Sequence, residues 1–450
     1  MADVSVFTPD RLRSSLLRIL PPGTSGACVA FSGGLDSTVL LTAMARIRHT
    51  LGSTVRAIHI DHQLQRASST WASQCRELAD RLEIPFATVR VNVPMSSEGL
   101  EGAARVARYD ALRGEIVAGE VLLTAHHADD QLETMLLALA RGAGARGLGA
   151  SPAVQQFGQG WLARPLLEFT RLDLESWARA EGLTWIEDPM NDSLSMDRNF
   201  LRHEVLPKLR ARWPAIASAG VRATLHLQET SVLLDDLAQL DLEQVSIGPC
   251  LQTDQLARLS AARRRNVLRF WLRMQGVRAP STRRLAALDH DMLVAQSDRV
   301  PRAVVEGAEI RRHRKLLYCM RGLPPVPVHA QEWDTSSALA LPEGLGTLKW
   351  EPVTGAGLSV ERLPKSLSVR FRQGGETLKA AGEAHHRSLK KRLQEAKILP
   401  WWRGRLPIVY AGDRLVAVGD LWVNAELAAG ESELGMRIVW IHKPPIYALR

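Results

Sequence analysis

The hexapeptide SGGLDS at residues 32–37 constrains the fold of this chain more than any other stretch of its sequence. It directly follows an apolar, β-rich run at 28–31 and directly precedes a helical stretch at 39–47. Two adjacent glycines let the chain turn sharply between these elements, because glycine adopts backbone angles that other residues avoid. A strand that passes through such a turn into a helix is typical of α/β proteins with crossover helices.

Short β-rich runs and amphipathic helical stretches alternate over the first 190 residues. The candidate strands lie at residues 27–31, 56–60, 86–93, 121–125 and 183–186. Between them, apolar residues recur at the three- and four-residue spacing of a helix face. This alternation predicts an α/β domain with a doubly wound parallel sheet.

A chain of 450 residues exceeds what one hydrophobic core supports, so the sequence predicts several domains. After the α/β pattern the chain becomes Leu-rich and helical, and a Pro-rich connector then begins at Pro324. Short alternating runs follow the connector and indicate a compact α+β module. We therefore expect an α/β domain at 1–214, a small helical domain at 215–323 and a C-terminal α+β domain at 324–450.

The sequence has no apolar run of about 18 residues or more, so no membrane partner is expected. The first 20 residues carry Asp and Arg among their apolar positions, unlike a secretory signal. Four cysteines stand far apart without a CxxC pair, which argues against a disulfide framework, a zinc ribbon or an iron–sulfur site. We expect a cytoplasmic protein with buried, inert thiols. The sequence leaves open whether it forms a homodimer.

The turn at 32–37 has the composition of a phosphate-binding loop. Its glycines let backbone amides approach phosphate oxygens, two serines add hydroxyl donors, and the amino end of the following helix favours an anion. It lacks the lysine of a Walker loop and the spacing of a GxGxxG fingerprint. The pattern resembles the SGGxDS loop of the N-type ATP pyrophosphatases, which bind ATP. A simple tight turn is the alternative.

A second motif, HHADDQLET at residues 126–134, follows the candidate strand at 121–125. Open α/β sheets bind their ligands at the carboxyl ends of strands. Asp130 and Glu133 are three residues apart on the first helical turn, so both carboxylates face one side and can hold an ammonium or a magnesium ion. The alternative is an acidic cap on a solvated helix start, which the helix dipole also favours.

A third stretch, WIEDPMND at 185–192, is followed by DRNFLR at 197–202. Together with SGGLDS and HHADDQLET, these motifs resemble the tRNA(Ile)-lysidine synthetases, whose catalytic domain carries EDxSN and RNxxR stretches. Further segments that match the family are ARVARY, RPLL and, near the carboxyl end, GGE, RSLKK, PW and RLP. Met190 departs from the pattern, because the family usually has Ser there.

The resemblance implies an enzyme, a ligase that forms a carbon–nitrogen bond on an isoleucine tRNA with a CAU anticodon. ATP would adenylate the carbonyl oxygen of the wobble cytidine, and the side-chain amine of L-lysine would displace AMP. The amine must first lose its proton, because an ammonium with a pKa of about 10.4 is not a nucleophile. The resemblance thus implies ATP, Mg²⁺, L-lysine and tRNA(Ile) as cofactors and substrates.

Site roles are carried over from the same resemblance. The expected nucleotide-binding residues are Ser32, Gly33, Gly34, Leu35, Asp36 and Ser37, with Asp36 also a magnesium ligand. The expected catalytic residues are Asp36, Asp130, Glu133 and Arg105, of which Asp130 and Glu133 hold the lysine ammonium. Expected contacts with lysine, nucleotide or tRNA are Arg108, His126, Arg198, Arg202, Arg387, Lys390 and Lys391. For each arginine the alternative is a surface ion pair worth under about 1 kcal/mol.

The formal net charge of +9 is concentrated late in the chain, since residues 361–414 hold 13 Lys and Arg against 5 Asp and Glu, a surplus of 8. Beside Trp401 and Trp402, this basic block predicts a surface for RNA phosphates with aromatic faces for stacking, although a solvated helix face is the alternative. Two rival functions stay open. One is a tRNA thiolase on the same fold, which needs reactive cysteines, and the other is a non-catalytic RNA-binding protein.

Overall fold

The structure, a computed structural model, describes residues 6–63, 68–93, 99–188, 196–294, 300–342, 344–363 and 366–448. The predicted motif position Met190 lies outside these residues. The chain divides into two compact units at Leu234/Asp235. Among the helices of the described ranges, none combines the length and the apolar character that a bilayer span requires.

Helices and strands alternate along the first unit. Its helices are α1 (Pro9–Ile19), α2 (Leu35–Leu51), α3 (Ser68–Arg81), α4 (Gly99–Glu115), α5 (Ala128–Ala140), α6 (Ala145–Leu148), α7 (Arg171–Ala180), α8 (Asp197–Phe200) and α9 (Leu206–Arg212). Its strands are β1 (Gly26–Ala30), β2 (Thr54–Asp61), β3 (Phe86–Arg90), β4 (Glu120–Leu123), β5 (Val154–Phe157) and β6 (Gly160–Ala163). A π-helical turn, Leu201–Val205, joins α8 to α9, and the long helix α10 (Ile216–Val245) contains the boundary between the units.

The strands of the first unit form one six-stranded sheet in the order β3-β2-β1-β4-β6-β5. All neighbouring pairs are parallel except β5 and β6. The predicted parallel α/β sheet is therefore confirmed, and the predicted strands at 27–31, 56–60, 86–93 and 121–125 correspond to β1 to β4. Ala27, Cys28 and Val29 of β1 are buried, as expected of a central strand covered on both faces.

The predicted strand at 183–186 is wrong. These residues have no regular secondary structure, and the amide of Ile186 instead donates to the carbonyl oxygen of Gly33 at 2.9 Å. The sheet is completed by the hairpin of β5 and β6, which sequence periodicity did not reveal because each strand has only four residues.

The sheet topology brings several loops to one edge. β1, β2 and β4 are adjacent and parallel, so the residues that follow Ala30, Asp61 and Leu123 emerge at the same edge. The SGGLDS turn therefore lies beside the start of the HHADDQLET motif, as the rule for ligand sites in open α/β sheets predicts.

The second unit combines helices with antiparallel sheets. Its helices after α10 are α11 (Thr253–Arg258), α12 (Ala261–Met274), α13 (Thr282–Val294) and α14 (Leu389–Glu395). Its first strands are β7 (Ser246–Ile247), β8 (Cys250–Gln252), β9 (Arg302–Val305), β10 (Ala308–His313) and β11 (Leu316–Arg321). Further strands are β12 (Gln331–Trp333), β13 (Leu339–Ala340), β14 (Thr347–Thr354), β15 (Leu358–Ser359), β16 (Leu367–Phe371), β17 (Thr377–Leu378), β18 (Arg387–Ser388), β19 (Pro407–Ala411), β20 (Arg414–Val418), β21 (Trp422–Val423) and β22 (Leu434–Ile441).

Two cores organise the second unit. The helical stretch predicted at about 215–291 contains helices α10 to α13. Apolar residues of α12 and α13 pack with a sheet of order β7-β8-β11-β10-β9 that the sequence did not predict. A second core contains the sheets β12-β16-β19-β20-β21 and β13-β14-β22-β15. Trp401 and Trp402 lie in this core, 4% and 6% exposed, so the prediction that they offer stacking faces is wrong.

Candidate active site

The SGGLDS turn forms a closed loop at the amino end of α2. Gly33 has φ of +85°, a value that favours glycine, and Gly34 is the N-cap residue. The Ser37 hydroxyl lies 3.1 Å from the Ser32 hydroxyl, accepts from the Ser32 amide at 3.3 Å and donates to the Gly34 carbonyl at 3.0 Å. The loop is thus shaped by its own serines, with the amides of the first turn of a 17-residue helix behind it.

The HHADDQLET motif begins α5 at the same sheet edge. His127 is the N-cap residue, and its backbone amide donates to Asp130 Oδ2 at 3.0 Å. Asp130 therefore serves as an acidic cap, which was the structural alternative, and it also lines a cleft together with Asp36.

A buried imidazole lies between the two motifs. His127 is 1% exposed, and its Nε2 atom lies 3.6 Å from Asp36 Oδ2 and 3.4 Å from Asp130 Oδ2. Its Nδ1 atom lies 3.6 Å from Asp129 Oδ2. Burial alone would lower the pKa of His127, but Asp130, Asp36 and Asp129 together raise it to about 9, so the ring is an imidazolium near neutral pH.

The groups around Asp130 shift its pKa in the opposite direction to that of His127. Burial alone would raise the pKa of Asp130, but His127, His126, the His127 amide and Arg202 lower it to about 2. Asp130 is therefore a carboxylate at neutral pH, a form suited to binding an ammonium group.

Glu133 faces arginines of its own chain. Its side chain is completely buried, and Arg202 donates to it through Nε at 2.8 Å and Nη2 at 3.1 Å. Arg198 Nε lies 3.4 Å from Glu133 Oε2, and its Nη2 donates to Thr134 at 2.8 Å. Burial raises the pKa of Glu133 and outweighs the opposing effect of Arg202. The structure thus brings Glu133, Arg198 and Arg202 together behind Asp130.

A cleft of about 460 Å³ opens at the sheet edge. Its lining includes the predicted residues Ser32, Gly34, Asp36, Ser37, Arg108, His126 and Asp130. His126 Nδ1 lies 2.9 Å from the Thr124 hydroxyl, and burial first, then nearby arginines, lower the pKa of His126 to about 4. His126 is therefore neutral at physiological pH.

Other predicted residues do not line this cleft. Gly33 faces Ile186 and Cys75, Leu35 is buried in the core, and Glu133 lies behind Asp130 with Arg198 and Arg202. The exposed Arg105 places its guanidinium carbon 5.3 Å from the centre of the Tyr109 ring, which does line the cleft. Arg387, Lys390 and Lys391 belong to the second unit.

Sequence reasoning missed several residues of the cleft. His59, Asp61, His62 and Trp71 all line it, and so does Asp188 of the WIEDPMND motif, to which the sequence assigned no site role. A signal was available for the first three, because the polar run HIDHQ interrupts the apolar end of β2, next to β1. No comparable signal marked Trp71, since its position depends on how α3 packs.

The basic block of the second unit contains both bound and unbound cations. Arg387 donates to Glu395 at 2.6 Å, and the buried Arg392 pairs with Glu383. Lys390 and Lys391 are exposed, and neither has an ion pair within the described residues. These two lysines are therefore open to an anionic partner.

Three family models match the chain. A PP-loop domain matches residues 10–209, a TilS substrate binding domain residues 251–318, and a TilS substrate C-terminal domain residues 367–440.

Similar proteins extend over nearly the whole chain. A tRNA(Ile)-lysidine synthase of Coxiella burnetii is 40% identical over 437 residues, 96% of each chain. Another, of Alkalilimnicola ehrlichii, is 42% identical and covers 94% of this chain and 95% of its own. A third, of Pseudomonas fluorescens, is 41% identical and covers 91% of this chain and 93% of its own.

Proposed function

The chain belongs to the tRNA(Ile)-lysidine synthase family, and from that membership we propose the reaction it catalyses and the residues that carry it. It is a ligase that uses ATP to form a carbon–nitrogen bond on tRNA. ATP adenylates the carbonyl oxygen of the wobble cytidine in the CAU anticodon and releases pyrophosphate. The side-chain amine of L-lysine then attacks the activated carbon, and AMP leaves with that oxygen.

One observation carries the site assignment. Asp36 of the SGGLDS turn and Asp130 of the HHADDQLET motif line the same cleft and lie on either side of His127. The reaction needs a triphosphate and an amine next to one another, and this arrangement offers a phosphate loop and an ammonium-binding carboxylate within one cleft.

We assign the triphosphate to the turn. The hydroxyls of Ser32 and Ser37 lie at the start of α2, and the amides of a helix amino end favour an anion. Within the described residues, no group of three or more His, Cys, Asp or Glu side chains could hold a metal ion alone. Mg²⁺ commonly binds one or two carboxylates together with substrate phosphates, and Asp36 fits that role. When bound, the ion neutralises negative charge on the phosphates.

We assign the amino acid to the neighbourhood of Asp130. Its carboxylate stays charged at neutral pH and is partly open to the cleft, whereas Glu133 is fully enclosed by Arg202 and Arg198. Asp130 is therefore the contact for an ammonium group, and Glu133 holds the two arginines in place. Arg108, which lines the cleft, and Arg105 beside Tyr109 are positioned for a carboxylate or the activated base.

Transfer of lysine to RNA tests the proposed reaction. The protein is incubated with labelled L-lysine, ATP and an isoleucine tRNA transcript with a CAU anticodon. We expect label in the RNA, with one AMP and one pyrophosphate formed for each lysine joined. A transcript with U in place of the wobble C is the matched control and should stay unlabelled. No label with either transcript would refute the proposal.

Variants test the site assignment separately. Asp130→Asn should retain ATP binding but lose most lysine-dependent AMP release, because the ammonium contact loses its charge. Asp197→Asn is the matched control, since Asp197 is 75% exposed and pairs with Arg141 only at 3.5 Å. Wild-type lysine turnover by Asp130→Asn would remove Asp130 from the site.

A further inference from the structure

His127 contacts three carboxylates at once, yet no role for it follows from the reaction as proposed. The ring is 1% exposed, and its three carboxylate neighbours lie within 3.6 Å of its two nitrogen atoms. Neither ring nitrogen makes a hydrogen bond of standard geometry within the described residues, so the ring lies among all three carboxylates rather than on one fixed partner.

The three carboxylates differ in what else holds them. Asp129 accepts from the Arg171 amide at 2.7 Å and pairs with Arg210. Asp130 accepts from the His127 amide at 3.0 Å and pairs with Arg202 at 3.3 Å. Both acids would keep their positions without the imidazole.

Asp36 has no such support. Its Oδ1 atom is buried without a hydrogen-bond partner, and its ion pair in the described part of the chain is the one with His127. Without the ring, the space between Asp36 and Asp130 would be unfilled, and no other ion pair within the described residues would hold Asp36. The position of Asp36 therefore depends on His127.

We propose that His127 is a positioning residue that fixes Asp36 of the phosphate loop against Asp130 at the start of α5, so that one side chain sets the distance between the triphosphate site and the amino acid site. The inference rests on the proposed function and deepens it. His127 does not touch the reacting atoms. Arg210 pairs with Asp129, which contacts the ring at Nδ1. The opposite nitrogen, Nε2, contacts Asp36 and fixes its position.

A double-mutant cycle with Asp36 tests this role, because coupling between two residues shows as non-additive effects. The variants are His127→Asn, Asp36→Asn and the pair. Asparagine is a favoured N-cap residue, so the start of α5 should be preserved. Formation of adenylated tRNA without lysine is measured as kcat and as KM for ATP. We expect His127→Asn to lower kcat/KM by about tenfold or more, but to change it by less than about twofold in the Asp36→Asn background.

A general loss of structure would give a different result. If His127 only stabilised the fold, His127→Asn would lower kcat/KM by the same factor in both backgrounds, and that outcome would overturn the inference. Full wild-type kcat/KM in His127→Asn would also overturn it. His127→Gln, which keeps an amide farther along the side chain, replaces the Asn variant in the cycle if the latter does not fold.

A matched variant distinguishes the contribution of the Asp129 contact at Nδ1 from that of the Asp36 contact at Nε2. Arg210→Met releases Asp129 but leaves Asp36 and Asp130 untouched, so we expect a smaller loss in the same direction. Failure of the proposed function would appear as no lysine transfer by the wild-type protein. Failure of the present inference would leave wild-type transfer intact and the cycle additive.

Discussion

Arg202 donates hydrogen bonds to both carboxylate oxygens of Glu133, and Glu133 is completely buried. Removing one partner of a buried pair leaves an uncompensated charge, which costs about 3–5 kcal/mol. We therefore expect Arg202→Met to lower the midpoint of thermal unfolding clearly, and the double variant Arg202→Met/Glu133→Gln to recover much of the loss.

The matched control for this pair is Arg141→Met. Arg141 and Asp197 form an exposed pair at 3.5 Å, with 71% and 75% of their side chains exposed, and such pairs contribute under about 1 kcal/mol. Equal shifts in the unfolding midpoint for Arg202→Met and Arg141→Met would contradict the prediction. The double variant also tests whether Glu133 mainly anchors Arg202. If it does, the protein should regain stability once the Glu133 charge is removed together with Arg202.

Gly33 should not tolerate even a methyl group. A Cβ atom there would lie 2.5 Å from Ile186 Cδ1 and 2.8 Å from Cys75 Sγ, and φ is +85°. We expect Gly33→Ala to cost more than the roughly 1 kcal/mol of an unfavourable backbone angle alone and to abolish ATP binding, measured by isothermal titration calorimetry with a non-hydrolysable analogue.

The control for this change lies at the other end of the same helix. Gly52 has φ of +64°, but nothing lies within 4 Å of a Cβ placed there. Gly52→Ala should therefore show the backbone strain without the clash, and ATP binding should persist. Loss of binding in both variants would mean that general instability, rather than the shape of the turn, is responsible.

Local patterns predicted the parts of the site that a short stretch of chain determines by itself. The SGGLDS turn and the acidic start of α5 were predicted because a strand end, two glycines and a helix start are local features. Their placement on one sheet edge followed from the parallel topology.

The remainder depends on tertiary packing. Arg202 and Glu133 are 69 residues apart, and only the fold shows that they form an ion pair. The burial of Trp401 and Trp402 likewise depends on a sheet whose short strands carry little periodicity. His127 was part of a recognised motif, but its contact with Asp36 required the structure.

The cysteines should be unreactive in the folded protein. Burial raises the pKa of Cys28 to about 12, with nearby Glu120 and Glu115 adding to it and Arg56 opposing it, and burial alone raises the pKa of Cys75 to about 12. At pH 8 their thiolate fraction, and so their rate with iodoacetamide, should be about a thousandfold below that of an unfolded thiol. Mass spectrometry of timed reactions measures this, with the protein in guanidinium as the control, where all four cysteines should react.

The sign of the pH effect follows from the same shift. A thiol whose pKa is higher in the folded protein favours folding below the unfolded pKa, here 9.0, and this contribution is lost as the pH rises toward the folded value. Stability should therefore fall above pH 9 through these groups. Rapid alkylation of folded Cys28 or Cys75 at pH 8 would contradict the prediction and would reopen the thiolase alternative.

Lys390 and Lys391 should contribute to RNA binding more than the arginines beside them. Both lysines are exposed, whereas Arg387 is bound to Glu395 and Arg392 is buried with Glu383. A cation that already has a carboxylate partner must give up that partner to bind a phosphate, so its net gain is small. An unbound lysine releases a counterion from the RNA at no such cost.

We therefore expect Lys390→Ala/Lys391→Ala to weaken tRNA binding and to reduce the slope of log affinity against log salt by about one to two, since each phosphate contact contributes roughly 0.7 to 0.9. Filter binding between low and moderate salt measures both quantities. Lys443→Ala is the matched control, because Lys443 is paired with Asp420 at 2.9 Å and should leave the slope unchanged. The contrary outcome is a double variant that keeps the wild-type slope and an Arg387→Ala variant that reduces it. Arg387 would then make the phosphate contacts, and ion pairing within the chain would not predict which cations bind RNA.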